Sequence, residues 1–195
     1  MRTRRPIVLV LCALATGCLS AISLSDAGVS ADRDSSDAGW VRIRSLRYGV
    51  TLALPGTPIV REQVDEPRLR REGVVLSLVT DATENAGYEV RLFRYAHDEE
   101  PERLLERWGE EMFARVGGQL EGEVRESIGE QPGIIARYSH VGAQADHLWV
   151  IAASDGRSVV EIVARNLHVP EGDALGDVAP PIEIAPIVSA IAFGR

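Results

Sequence analysis

The chain has 195 residues, all of its 21 basic side chains are arginine, and 29 acidic residues set the formal charge at −8. Such a surface repels polyanions, so no nucleic-acid partner is expected. Both cysteines, Cys12 and Cys18, lie near the N-terminus, which leaves the remainder without a disulfide or a thiolate metal ligand.

Arg2, Arg4 and Arg5 form a positive start, and an uncharged run follows from Pro6 to Ser25. This pattern reads as an export signal over residues 1–31, to be set aside in fold reasoning. Ala15-Thr16-Gly17-Cys18 is a lipoprotein-type cleavage box with small residues before the cysteine, and Cys18 is the candidate lipid-attachment residue. Ala15 stands where leucine is usual. Two other fates compete: a cut after Val29-Ser30-Ala31 that releases a soluble protein, or retention of the run as a helix, since about 20 apolar residues reach across a bilayer. The cut before Cys18 is favoured, because Ser20 to Gly39 is rich in Ser, Asp, Ala and Gly and reads as a flexible tether, of which residues 32–39 are the last part. Without the three leading arginines the charge falls from −8 to −11.

Residues 40–195 are a single-domain length. Val41 and Ile43, then Val50, Leu52 and Leu54, alternate with polar neighbours and predict strands. Arg61 to Glu72 is dense in charge; Arg61, Arg68, Arg70 and Arg71 offer an anion patch, but Glu62, Asp65, Glu66 and Glu72 match them charge for charge and the stretch reads as a solvated loop. Strands are predicted over Gly73–Thr80 and Tyr88–Tyr95 around a turn at Glu84–Gly87. Leu104, Leu105, Trp108, Met112 and Val116 then fall at helical spacing between Pro101 and Gly117-Gly118.

Ile134–Val141, Asp146–Ala153 and Ser158–Arg165 predict a three-strand meander. Asp155-Gly156 is a two-residue hairpin signal, which pairs Ala153 with Ser158. An even loop between the first two strands pairs Tyr138 with Trp149. One face then carries Ile134, Ala136, Tyr138, Trp149, Ile151, Val160, Ile162 and Ala164, and the helix is expected to cover it; Arg137, Val150, Glu161 and Val163 face the other way. Pro186–Phe193 closes the chain as a short apolar element. The expected class is α+β: a mostly antiparallel sheet of about six or seven strands with one long central amphipathic helix and a short C-terminal helix.

Among candidate sites the sharpest pair is His140 and His147. In that register they stand opposite each other, about 5 Å apart at Cβ, near enough to share a metal ion with a third ligand such as Asp146. Two histidines at the wet end of a sheet are the plainer reading. His97-Asp98-Glu99-Glu100 offers carboxylates to a hard cation, though acids before a helix more simply complement its positive end. Asp81 to Gly87 echoes a calcium loop, but its glycine is one residue late and Leu92 stands where the bidentate acid belongs. No nucleophile elbow, cysteine outside the leader, His-Glu-x-x-His or phosphate-cradling glycine loop is present in the sequence.

The order of strand, Leu54-Pro55-Gly56 turn, strand pair, single amphipathic helix, Gly129-x-x-Pro132-Gly133 turn, meander and apolar end resembles small bacterial envelope lipoproteins of the PsbP-like fold. The resemblance spans about Tyr48 to Phe193 and is one of layout. It implies an adaptor more than a catalyst, and brings no motif whose residues carry a function. With the leader, it sets the expectation of a non-catalytic lipoprotein on the extracytoplasmic side. The membrane would be met through lipidated Cys18, the partner would be another envelope protein, and no cofactor is expected. Two rivals are a carrier of a small apolar or lipid ligand between sheet and helix, and a metal-dependent enzyme or metal-binding protein using His140 and His147.

Overall fold

A computed structural model describes residues 22–33, 39–81, 86–116, 119–140, 146–165 and 184–194. Four strands, β1 (Ser30–Arg33), β2 (Val41–Ser45), β3 (Val50–Leu54) and β11 (Ala192–Phe193), form one antiparallel sheet in the order β1-β2-β3-β11. The larger sheet holds β4 (Ile59–Glu66), β5 (Arg71–Asp81), β6 (Ala86–Tyr95), β7 (Gln119–Ile128), β8 (Gln131–His140), β9 (Asp146–Ser154) and β10 (Ser158–Arg165), in the order β4-β5-β6-β10-β9-β8-β7. Helix α1 (Pro101–Val116) lies against β8 and β9, and the one-turn α2 (Ala185–Ser189) against β3. The α+β class stands, but the single sheet of six or seven strands becomes two sheets, and the seven-stranded sheet, not the helix, is the central layer.

Both faces of that sheet are covered. One meets the small sheet: Val74, Leu76, Val90, Leu92, Trp149, Ile151, Val160 and Ile162 pack with Val41, Ile43, Leu52 and Leu54, and Ile187 and Ile191 close the end. The other meets α1, whose Leu104, Leu105 and Trp108 are buried among Phe93, Tyr95, Ile134, Ala136, Tyr138, Val150 and Val159. This two-sided burial explains the almost unbroken apolar run of β10.

The meander register differs from the expected one. Tyr138 pairs with Leu148 and Ala136 with Val150, because five residues, 141–145, separate the paired His140 and Asp146. An odd count flips a strand's faces. Ile134, Ala136 and Tyr138 therefore lie on the helix side, while Trp149, Ile151, Val160 and Ile162 look toward the small sheet. At the next turn Ser154 pairs with Val159. The reason is local: the Asp155 carboxylate accepts from the amides of Arg157 and Ser158, and Ser154 Oγ from that of Gly156, which widens the turn. That shift of two preserves the faces.

Three segments read as irregular or left unassigned are strands. The charged stretch read as a solvated loop contains β4, an edge strand whose charges and bulge near Arg61 protect the sheet border. Opposite it β7, also bulged, forms the other edge. The stretch read as tether contains β1, which pairs with β2 and buries Ala27 and Val29.

Candidate functional site: an arginine-rich cleft at one end of the sheets

Arg71 was expected in a solvated loop and is instead 5% exposed. It stands opposite Tyr95, next to the Gly73–Phe93 pair. Gly73 has no room for a side chain because the Phe93 ring lies over it. The ring meets Trp108 of α1 at 4.7 Å between centroids, and the Arg71 guanidinium lies 4.8 Å from both rings. Arg71 donates to Glu66 at 2.7 Å, to Glu111 at 2.6 Å and to the Tyr95 hydroxyl at 3.4 Å. Burial works against its charge, but the hydrogen bonds to Glu66 and Tyr95 outweigh that and hold its pKa above the ordinary value. Arg71 thus ties β4, β5 and α1 together.

A second set of bonds latches the two sheets. The β2–β3 turn presents the carbonyls of Arg47 and Tyr48, which accept from Arg94 at 2.7 Å and from Ser158 Oγ at 2.6 Å. The Arg47 side chain returns to Glu72 in a bidentate pair at 2.9 and 2.5 Å. Those bonds lower the Glu72 pKa from its ordinary value. A depressed carboxylate contributes stability above its unfolded pKa, about 4.3, and loses it as pH falls through the folded value. The acid limb of a stability-versus-pH curve should therefore be shallower in Glu72→Gln than in the parent; superimposed limbs would show the latch to be neutral.

Beside the latch opens a cleft of about 330 Å³ lined by Asp65, Arg70, Arg71, Glu72, Arg94, Tyr95, Ala96 and Arg157. Four guanidinium groups meet two carboxylates on an otherwise acidic chain. Arg70 is set by the β4–β5 turn, where it adopts positive φ (49°) and its carbonyl accepts from the Ala96 amide at 2.9 Å. Its side chain meets the His97 ring at 3.0 Å. Arg157 lies 3.4 Å from Asp98. Leu46 and Leu69, next in sequence to Arg47 and Arg70, are 79% and 39% exposed.

No protein-family model and no curated protein matches the chain. Among solved structures it is similar to cyanobacterial PsbP (CyanoP) from Synechocystis sp. PCC 6803, with a TM-score of 0.46 and 14% identity over 71% of this chain and 86% of that one. The layout resembles the PsbP fold.

Of the residues singled out from sequence, Arg70 and Arg71 line this cleft with Asp65 and Glu72 of the same charged stretch, whereas His140 and His147 are not among its lining residues. His140 stands opposite Asp146 and His147 opposite Ser139, so the histidines occupy positions of alternate face instead of facing each other. Their side chains lie outside the described residues, as does Cys18. Of the acids before α1, Asp98 pairs with Arg157 and Glu99 with Arg107 at 2.8 Å. Asp81 and Ala86 pair across the loop that echoed a calcium site, and residues 82–85 between them lie outside the described set. Among the described residues no group of three or more metal-ligating side chains gathers.

Other openings flank the sheet. A charged pocket of about 330 Å³ lies over Arg61, Glu89 and Arg91. An open groove of about 570 Å³ runs between α1 and β7–β8, past Leu105, Leu120, Ile134 and Tyr138. It lies beside the helix, whereas the space beneath the described turns of α1 is filled by Phe93, Leu104, Leu105 and Trp108.

Proposed function

We propose that the chain is a non-catalytic envelope lipoprotein, exported and anchored through lipidated Cys18, that serves another envelope protein as an adaptor or accessory subunit. The observation that carries this reading is the use of its buried charges. Arg71, Glu89, Arg137 and Glu161 are each more than nine-tenths buried. Arg71 holds Glu66 and Glu111, Arg91 holds Glu89 and Glu161, and Arg137 holds Glu121 at 2.9 Å. Side chains committed to opposite charges brace layers and are poorly placed to exchange protons with a substrate.

Export with a cut before Cys18 draws support from β1, since the alternative cut after Ala31 falls inside that strand. Among the described residues no helix is long and apolar enough to cross a membrane. The carrier reading has less support, because the layer between helix and sheet is packed. The metal reading loses its opposed histidines.

Cys18→Ser should abolish lipid labelling and release the protein from membranes; labelling that persists would refute the anchor. The adaptor role is tested by isolating the full chain from envelope extract at native abundance. A stoichiometric complex that survives size exclusion is expected, and recovery of the chain alone would remove the role.

A further inference from the structure

We propose that the cleft at the end of the sheets is a phosphate-group site, with Arg70, Arg94 and Arg157 as its binding residues. The proposal rests on how these side chains differ from other arginines of the fold. Arg47, Arg61, Arg71, Arg91 and Arg137 each pair with a carboxylate at 2.5–2.9 Å. Among the described residues Arg70 and Arg94 pair with no carboxylate: Arg70 meets the His97 ring at 3.0 Å and Arg94 donates to the Arg47 carbonyl at 2.7 Å. Among the described residues the Arg157 side chain has one ionic contact, a long one of 3.4 Å with an Asp98 whose side chain is 76% exposed. Glu72 feels Arg94 but gives both oxygens to Arg47.

Three guanidinium groups thus reach one concave surface with donors to spare, and Asp65 and Asp98 compensate their charge only in part. Each has five N–H donors, and Arg94 directs one of its nitrogens to a carbonyl. A tetrahedral dianion matches that arrangement, because it accepts bidentate forks from several directions and supplies the charge the cleft lacks. The volume, about 330 Å³, exceeds that of the bare ion and sits at the low end for small-ligand pockets, so a phosphate ester with a small organic part fits. Asp65 on the rim opposes an anion, and its removal should tighten binding. Leu69, exposed and next in sequence to the lining residue Arg70, makes a lipid headgroup the second source of the same chemistry.

The test titrates the purified full chain with inorganic phosphate by calorimetry, and in parallel measures its partition onto phosphatidylcholine vesicles with and without phosphatidic acid. Saturable phosphate binding is expected, about tenfold weaker in Arg70→Gln, weaker again when Arg157→Gln is added, and tighter in Asp65→Asn. Preference for phosphatidic acid with the same order of variants, and no binding of the free ion, would keep the site and identify the headgroup as its source. Arg70 and Arg157 are exposed, so the variants should fold, and their thermal midpoints check this. No binding of either probe, or binding that the variants leave unchanged, would overturn the proposal.

Discussion

Arg71→Ala is expected to destabilise the protein by about 3–5 kcal/mol, the usual penalty when one member of a buried ion pair is removed. The change leaves Glu66 and Glu111 without the cation that joins them, and opens a void against Phe93 and Trp108. The guanidinium is 4.8 Å from each ring, within the range where cation–π attraction adds to packing. Arg71→Met separates the two contributions. Methionine refills most of the volume against the rings without the charge, so it removes the ion pairs and keeps most of the packing. Its two carboxylates are partly exposed, at 38% and 25% of their side-chain area, so they recover water. Urea unfolding should therefore place Arg71→Met nearer the parent than Arg71→Ala. Equal losses in both variants would mean that the charge, and not the packing, joins α1 to the sheet.

The burial of Arg71 is not written in the local sequence. Arginine is seldom buried unless paired, and the run from Arg61 to Glu72 offered as many acids as bases. Pairing was visible there as composition, but burial depends on α1 arriving with Trp108 and Glu111 some 40 residues later. Alternation located β2 and β3 well, because each has one wet face. It failed to divide the faces of the meander, since both sides of the central sheet are covered and a period of two is no longer written in hydrophobicity. Register then hung on loop parity, and the five-residue connection 141–145 moved His140 and His147 out of opposition. The cleft was legible only in part. Arg70 belonged to a recognised charged segment, whereas Arg94 and Arg157 come from strand and turn positions brought beside it by the β5–β6–β10 order.

A chain beginning at Asp32, the product of a cut after Ala31, should be less stable than one beginning at Cys18 by about 3–5 kcal/mol, a large share of a typical domain's stability. Residues 22–31, lost with the cut, are folded onto the body. Its turn is closed by Ala27, Gly28 and Val29 amides bonded to the carbonyls of Ser23, Ser25 and Leu24 at 2.8–3.1 Å. Ala27 and Val29 are 0% and 3% exposed within the core shared by the two sheets. Burying valine alone contributes about 1.5–3 kcal/mol. Two of the four β1–β2 partner pairs, Ser30–Arg44 and Ala31–Ile43, go with the cut. Ser45, 1% exposed, also loses the Gly28 carbonyl to which its hydroxyl donates at 2.8 Å, and a buried donor left unmatched adds to the loss. Thermal or urea unfolding of the two chains decides the matter. Coincident midpoints would show that β1 contributes nothing to the fold, and would return the cut after Ala31, with a soluble product, to equal standing with the lipidated one.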